Sequence, residues 1–279
     1  MQYAGLRKLG RRPGEFDKSG FQLPNLVEQN LSNLECAEVI ANYFSCVSQE
    51  YQPLNIRNLA PNVQEYLGNP ELNVAPMLSD HDVYHKLVKA KKPNSIVPGD
   101  LPPKLTKRFI CLLTIPTRMI FNKISESKMY RQQWKIERQI PIPKVNLPET
   151  EDDLRNLSKT PFCSKVYESC IADWLLPIIQ PYLDPGQCGM KGLSITHYLI
   201  KLLHFTHSIL DKRQPHAVLA ACIDLSKAFN RVSHDLVIQD LYDMHTPAWL
   251  LNIIISYLSN RTMVLTYNGE QSCSKELPG

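Results

Sequence analysis

Asp224 is the residue with the clearest potential for chemistry. It closes the run AVLAACID at positions 217–224, which is apolar up to that aspartate. An uninterrupted apolar run of this length predicts a strand buried on both faces. A carboxylate at the end of such a strand faces a crevice, where catalytic carboxylates tend to lie. The alternative interpretation is an aspartate that caps the turn after the strand.

The residues after Asp224 extend this pattern. DLSKAFNRVSHDLV, at positions 224–237, resembles the first carboxylate motif of reverse transcriptases, specifically those of non-LTR, LINE-like retrotransposons. Further stretches resemble the same family in the same order along the chain. They are WKIERQIPIPK at 134–144, EDDLRNLS at 151–158, LDPGQ at 183–187, KGLSITH at 191–197 and SYLSNRTMVLTYNG at 256–269.

The resemblance implies an α+β fold: the fingers and an incomplete palm of a right-hand polymerase, with a helical amino-terminal extension. The resemblance divides the chain into three regions. Residues 1–78 form the amino-terminal helical extension and linker, and residues 79–123 a helical lead-in to the fingers. Residues 124–279 form the reverse transcriptase domain, which is expected to be truncated before the family's Asp-Asp hairpin.

The resemblance also assigns roles. Asp224 is the catalytic carboxylate, and it would bind metal together with the backbone carbonyl of Leu225. Phe229 would exclude a 2′-hydroxyl and so select deoxynucleotides. The implied nucleotide-binding residues are Lys144, Arg155, Leu225, Ser226, Lys227, Ala228 and Phe229, and the candidate template contacts are Lys89, Lys91, Lys92 and Lys191.

Each role has a plain structural alternative. Phe229 is also a reasonable core residue, and the lysines also suit a solvated surface. Lys144 would then be a surface charge, and Arg155 would pair with Glu151, Asp152 or Asp153.

The implied function is RNA-directed DNA synthesis by two-metal nucleotidyl transfer, with an RNA template, a DNA primer and deoxynucleoside triphosphates as partners. Such chemistry needs several carboxylates around two Mg²⁺ ions about 3.5–4 Å apart. Asp224 alone cannot hold both ions, so the chain is expected to be an incomplete and inactive polymerase fragment. The alternative is a non-catalytic reverse-transcriptase-like remnant that binds nucleic acid or a protein partner.

Length and composition limit the class of protein and its cellular location. The 279 residues are 43% hydrophobic, so the chain should fold, and the net charge of +4 is compatible with a phosphate-bearing partner without indicating one. No apolar run of membrane-spanning length and no signal peptide is present, and the cysteines are scattered, which favours a nuclear or cytoplasmic protein that is not secreted. The oligomeric state is open.

Periodicity predicts the elements that would position these residues. Ser32 and Glu35 form a capping box that starts a helix at 32–50, and Ser79 starts a second helix with Val83, Leu87 and Val88 buried. Positions 51–76 are expected to be an irregular linker. Positions 105–125 are expected to be helical but interrupted by Pro116, either as two helices or as one kinked helix.

The carboxyl-terminal half alternates strands and helices. The strand ending at Lys144 contains Pro141 and Pro143, which predict an edge position. Asn268-Gly269 predicts a hairpin turn between a strand at 261–267 and a partner strand that extends to position 275. Two helix stripes are expected to face the core: Phe162, Val166, Cys170, Trp174 and Ile178, and then Ile195, Leu199, Leu202 and Ile209.

Overall fold

The computed structural model describes residues 21–48, 51–90, 97, 100, 102–187, 189, 194–212, 217–224, 228 and 231–277. The fold is mixed α+β, which confirms the predicted class at that level. The helices are α1 Pro24–Val27, α2 Asn33–Ser48, α3 Pro61–Gly68, α4 Asp80–Lys89, α5 Pro103–Arg108, α6 Ile110–Ser127, α7 Phe162–Ile179, α8 Ile195–Leu210, α9 His234–Asp243 and α10 Ala248–Leu258. The strands are β1 Ile136–Pro143, β2 Leu154–Lys159, β3 Arg261–Tyr267, β4 Glu270–Gln271 and β5 Lys275–Leu277.

The five strands form one mixed sheet. β2 pairs antiparallel with β1, β1 pairs parallel with β3, and both β4 and β5 pair antiparallel with the other edge of β3. The β3–β4 turn is formed by Asn268 and Gly269, whose φ angles are +49° and +92°. Positive φ at both positions is what a tight two-residue hairpin requires, and it confirms the predicted turn.

The prediction that β1 is an edge strand was wrong, because β1 lies between β2 and β3. The prolines are tolerated because β3 pairs only with positions 136–139 of β1. Pro141 and Pro143 lie beyond that pairing and face a partner only on the β2 side. A missing backbone N–H therefore leaves no gap in the ladder between β1 and β3.

One core lies between α2 and the sheet. Ile40, Ala41 and Phe44 of α2 pack with Met263 and Leu265 of β3, and all five are buried. The alternation of β3, in which every second residue is buried, matches a strand with one face on this helix. The helix begins as predicted, because Ser32 and Glu35 exchange the capping-box hydrogen bonds.

The remaining helices form two further cores that share α10. Leu250 and Leu251 of α10 pack with α3 and α9, whereas Ile253 packs with α4, α6 and α7. A helix that is apolar on all sides must be covered on all sides, and α10 is. The first predicted stripe is confirmed here, since Phe162, Val166 and Cys170 are buried and Trp174 and Ile178 pack against these cores.

Two local predictions were wrong, and a third was met only in part. Positions 51–76 contain α3, which starts with Pro61 in its first turn and buries Val63 and Leu67 against α10. Positions 105–125 do form two helices, but the boundary between α5 and α6 falls at Phe109, and Pro116 lies within α6. Val88 is 44% exposed, although Val83 and Leu87 are buried as predicted.

Among the described helices, none combines the length and the apolar character needed to cross a membrane.

Candidate functional site

The β1–β2 hairpin brings Lys144 and Arg155 to one face of the sheet. Arg155 lies opposite Ile142 in the antiparallel register, and the backbone N–H of Lys144 donates to the carbonyl of Asp153 at 2.7 Å, which extends the ladder by one pair. Side chains alternate between faces along a strand, so Lys144 and Arg155 project from the same face as diagonal neighbours. Such neighbours are about 7–8 Å apart, close enough for both to contact one triphosphate.

Two more cations extend this surface, which we call the basic face. Arg138 and Lys159 lie directly opposite one another, an even number of residues from Ile142 and Arg155 respectively. The basic face therefore carries Arg138, Lys144, Arg155 and Lys159. The sequence interpretation did not include Arg138 or Lys159, although the period-two pattern of the two strands, once paired, identifies both.

Lys144 and Arg155 are held differently. The Lys144 ammonium donates to the backbone carbonyl of Asp152 at 2.5 Å, and Tyr43 hydrogen-bonds the Asp152 carboxylate, which fixes the turn beneath the lysine. Arg155 is exposed. Among the ion pairs seen between described residues, none joins Arg155 to Glu151, Asp152 or Asp153.

The inner face of the hairpin is anchored by a buried ion pair. Glu137 of β1 accepts from the Arg261 Nε of β3 at 3.2 Å and from Ser158 Oγ of β2 at 2.8 Å. The Arg261 guanidinium lies 4.5 Å over the Tyr257 ring. Burial opposes ionisation of Glu137, but the charge of Arg261 and the hydrogen bonds outweigh it and lower the pKa of this carboxyl. The pair ties all three strands together beneath the basic face.

His234, the histidine of the motif that follows Asp224, lies close to this anchor. It begins α9 after Ser233, whose Oγ accepts from the Leu236 N–H at 3.4 Å. Burial and then the charge of Arg261 lower the pKa of His234, against the opposing effect of Asp235. Within the described residues, neither His234 Nδ1 nor Asp235 Oδ1 has a hydrogen-bond partner, although both are buried. Burial and the positive charge of Arg261 therefore both disfavour the protonated form of this ring.

Asp224 does not lie at the end of a buried strand. Residues 217–224 are irregular, and Leu219 and Ile223 are 96% and 89% exposed. The strand prediction was wrong because a buried strand needs hydrogen-bonded neighbours, and every strand in the described part of the chain pairs elsewhere. Asp224 itself is exposed.

The apolar stripe predicted on α8 was likewise expected to be buried but is exposed. Ile195, Leu199 and Leu202 on α8 are 51%, 48% and 38% exposed, and α8 buries no residue, so the expected core-facing stripe was wrong. The period of the apolar residues correctly predicted the helix. It could not show whether another element covers that face.

The remaining predicted residues are partly placed. Ala228 is exposed, and its carbonyl accepts from the Arg231 N–H at 3.3 Å. Lys89 is exposed at the end of α4 and lines a groove of about 960 Å³ between α4 and α7, together with Lys86 and Lys165. The other predicted residues, Lys91, Lys92, Lys191, Leu225, Ser226, Lys227 and Phe229, lie outside the described residues.

The described residues do not assemble a two-magnesium site. No group of three or more acidic, histidine or cysteine side chains among them could hold a metal ion. A lone exposed carboxylate at Asp224 does not fit a pair of hard cations that each need several oxygen ligands.

Neither the family models nor the curated proteins compared with this chain gave a match. The role of the site is therefore inferred from Lys144 and Arg155, from the geometry of the β1–β2 hairpin and from the motifs that resemble reverse transcriptases.

Proposed function

We propose that this chain carries the nucleotide-binding fingers and the first catalytic carboxylate of an RNA-directed DNA polymerase of the non-LTR retrotransposon type. The observation that carries the proposal is the placement of Lys144 and Arg155 on one exposed face of an anchored hairpin. A triphosphate needs both kinds of cation, since the planar guanidinium binds phosphate oxygens in a bidentate way and the ammonium acts as a point charge.

The uncovered 217–224 segment and α8 are consistent with this proposal. Both are rich in apolar residues that the described part of the chain leaves exposed. A large exposed apolar surface marks a place where another element packs. We infer that the segment ending at Asp224 pairs as a strand only when neighbouring strands are supplied from outside the described residues. A molecule in which this segment stays unpaired is then expected to be catalytically inactive.

The proposal is tested by binding of dTTP to the 279-residue chain. Lys144→Gln and Arg155→Gln are each expected to weaken binding about tenfold or more, because a hydrogen bond to a charged group contributes about 1.5–3 kcal/mol. Lys123→Gln is the matched control, since Lys123 is a 75% exposed cation on α6, away from the hairpin. Equal binding by all three variants would overturn the proposed role of the hairpin.

Primer extension on poly(rA)/oligo(dT) with Mg²⁺ tests the second half of the proposal. No incorporation is expected, because no group of three or more acidic, histidine or cysteine side chains within the described residues could hold the metal ions. Measurable incorporation would show that a complete site forms without further carboxylates.

The second candidate is a non-catalytic protein that uses the same fold to bind a partner. The exposed apolar residues of α8 favour it, because such a surface also suits a protein interface. Triphosphate binding separates the two candidates. A chain that binds neither dTTP nor a primer–template duplex, but forms a stable complex through α8, would belong to the second class.

A further inference from the structure

His81 and His85 lie on one face of α4, away from the basic face. Four residues separate them, the spacing that places two side chains on adjacent turns of a helix. Their Nε2 atoms are 3.0 Å apart, with ring centroids at 4.3 Å, and both side chains are exposed. Without a metal the two rings share an N–H···N hydrogen bond whose donor depends on the tautomer, and this bond holds the two nitrogens close together at the surface.

This separation suits a shared metal ion. Zinc–nitrogen bonds are about 2.0–2.1 Å long, so two nitrogens on one ion are about 2.9 Å apart at a right angle and about 3.3 Å apart in a tetrahedron. Copper(II) and zinc(II) both prefer imidazole nitrogen among protein ligands. The spacing His-x-x-x-His on a helix is the one that metal-binding helices use.

Asp82 supplies negative charge at the same place. Its Oδ2 accepts from the Ser79 N–H at 2.9 Å and from Ser79 Oγ at 2.6 Å. Within the described residues Oδ1 accepts no hydrogen bond. Lys86, the nearest cation in sequence, is paired with Asp173 at 2.7 Å, while Lys89 lies one turn further along α4.

We propose that His81 and His85 form a bidentate site for a divalent transition-metal ion such as Cu²⁺ or Zn²⁺, with water completing the coordination. Binding requires a lone pair on both Nε2 atoms, so any ring proton at Nε2 moves to Nδ1 or to solvent. The pair lines the groove between α4 and α7, so the ion would add positive charge to a wall that already contains Lys86, Lys89 and Lys165. The site is independent of the proposed polymerase function.

The test is titration of the 279-residue chain with Cu²⁺, monitored by electron paramagnetic resonance. The wild type is expected to show coupling to two nitrogens, and His81→Gln and His85→Gln each to lower affinity at least tenfold and remove that coupling. His207→Gln, an exposed histidine on α8, is the matched control and should bind as the wild type does.

Folding of the variants is checked without metal. Both histidines are exposed, so the thermal midpoints of His81→Gln and His85→Gln should match that of the wild type. Saturating Cu²⁺ should raise the midpoint of the wild type and of His207→Gln only. The proposal is overturned if the two variants keep wild-type affinity, or if His207→Gln loses as much affinity as they do.

Discussion

Glu137 and Arg261 form an ion pair between the parallel strands β1 and β3, with side chains only 14% and 10% exposed. Arg261 also donates to the carbonyl of Tyr257 at 3.3 Å, and Glu137 accepts from Gln139 at 3.2 Å. The pair therefore satisfies its hydrogen bonds locally, as a buried pair must. It joins the hairpin that carries the basic face to the strand that follows α10.

Removing one partner of this pair should be strongly destabilising. Glu137→Gln keeps the shape of the side chain but leaves a buried guanidinium without its counter-charge, which typically costs about 3–5 kcal/mol. Urea unfolding at pH 7 measures the loss. Lys123→Gln, which breaks the exposed pair with Glu126, should change the free energy of unfolding by less than about 1 kcal/mol.

The double variant Glu137→Leu, Arg261→Met separates charge burial from packing. A pair of apolar residues leaves no uncompensated charge, so this variant should recover most of the stability that Glu137→Gln loses. A double variant as unstable as the single one would show that packing, rather than the unpaired charge, accounts for the loss.

Acid should weaken the contact between α2 and the strands after the β3–β4 turn. Hydrogen bonding from the Cys273 backbone N–H, then the Lys275 ammonium at 2.9 Å, lowers the pKa of Glu38 to about 2 from an ordinary value of 4.5. A depressed pKa in the folded state contributes stability above the unfolded value, which is lost as pH falls through the folded value. The window runs from about pH 4.5 to about pH 2.

Glu38→Gln tests this contribution. The variant cannot ionise, so its stability should fall less between pH 4.5 and pH 2 than that of the wild type. Denaturant midpoints at several pH values in this range measure the difference. Glu137 also has a lowered pKa, and its effect is present in both proteins. Parallel pH curves for the two proteins would show that Glu38 does not carry the predicted contribution.

Local sequence signals predicted most elements but not their surroundings. Ser32 and Ser79 each start the helix that the sequence predicts there, because a cap is completed within a few residues. Asn268-Gly269 gives the expected turn for the same reason. Burial depends on distant partners. Leu199 on α8 has the same helical period as Val166 on α7, yet only Val166 is covered.

The predictions for the candidate site also held where they depend on nearby residues and were wrong where they depend on distant partners. Lys144 and Arg155 come together because the hairpin register depends on residues close in sequence. The strand at 217–224 would need neighbours that no local pattern supplies. Pro61 was interpreted as part of a linker, although it occupies the first turn of α3, where proline is favourable. The His81–His85 pair was also missed, although its spacing on a predicted helix identifies it.

Limited proteolysis should detect the exposed state of the 217–224 segment. Thermolysin cleaves before large apolar residues, and Leu219 and Ile223 are 96% and 89% exposed. Cleavage before these residues is expected under native conditions and without denaturant, because no unfolding is required. Mass spectrometry identifies the sites. Met263 and Leu265 on β3 are fully buried and provide the internal comparison, since cleavage there requires global unfolding. Resistance of the segment in the native protein would mean that it is covered in solution.

The basic face should make single-stranded RNA binding depend on salt. Each phosphate neutralised on a single strand contributes about 0.7 to the slope of log affinity against log salt concentration. Arg138→Gln and Arg155→Gln should therefore each reduce the magnitude of that slope by about 0.7, and the double variant by about 1.4. Fluorescence anisotropy with a labelled oligonucleotide at several salt concentrations measures it.

Lys123→Gln is again the control, because it removes one exposed cation at a distance from the hairpin. Its slope should equal that of the wild type, whereas loss of net charge alone would lower the affinity of all the variants alike. Arg155→Lys adds a second distinction. It keeps the charge, so the slope should stay at the wild-type value, but it removes the bidentate geometry, so dTTP binding should still weaken. A slope that falls equally in all the variants would show that RNA is attracted by overall charge and not held on this face.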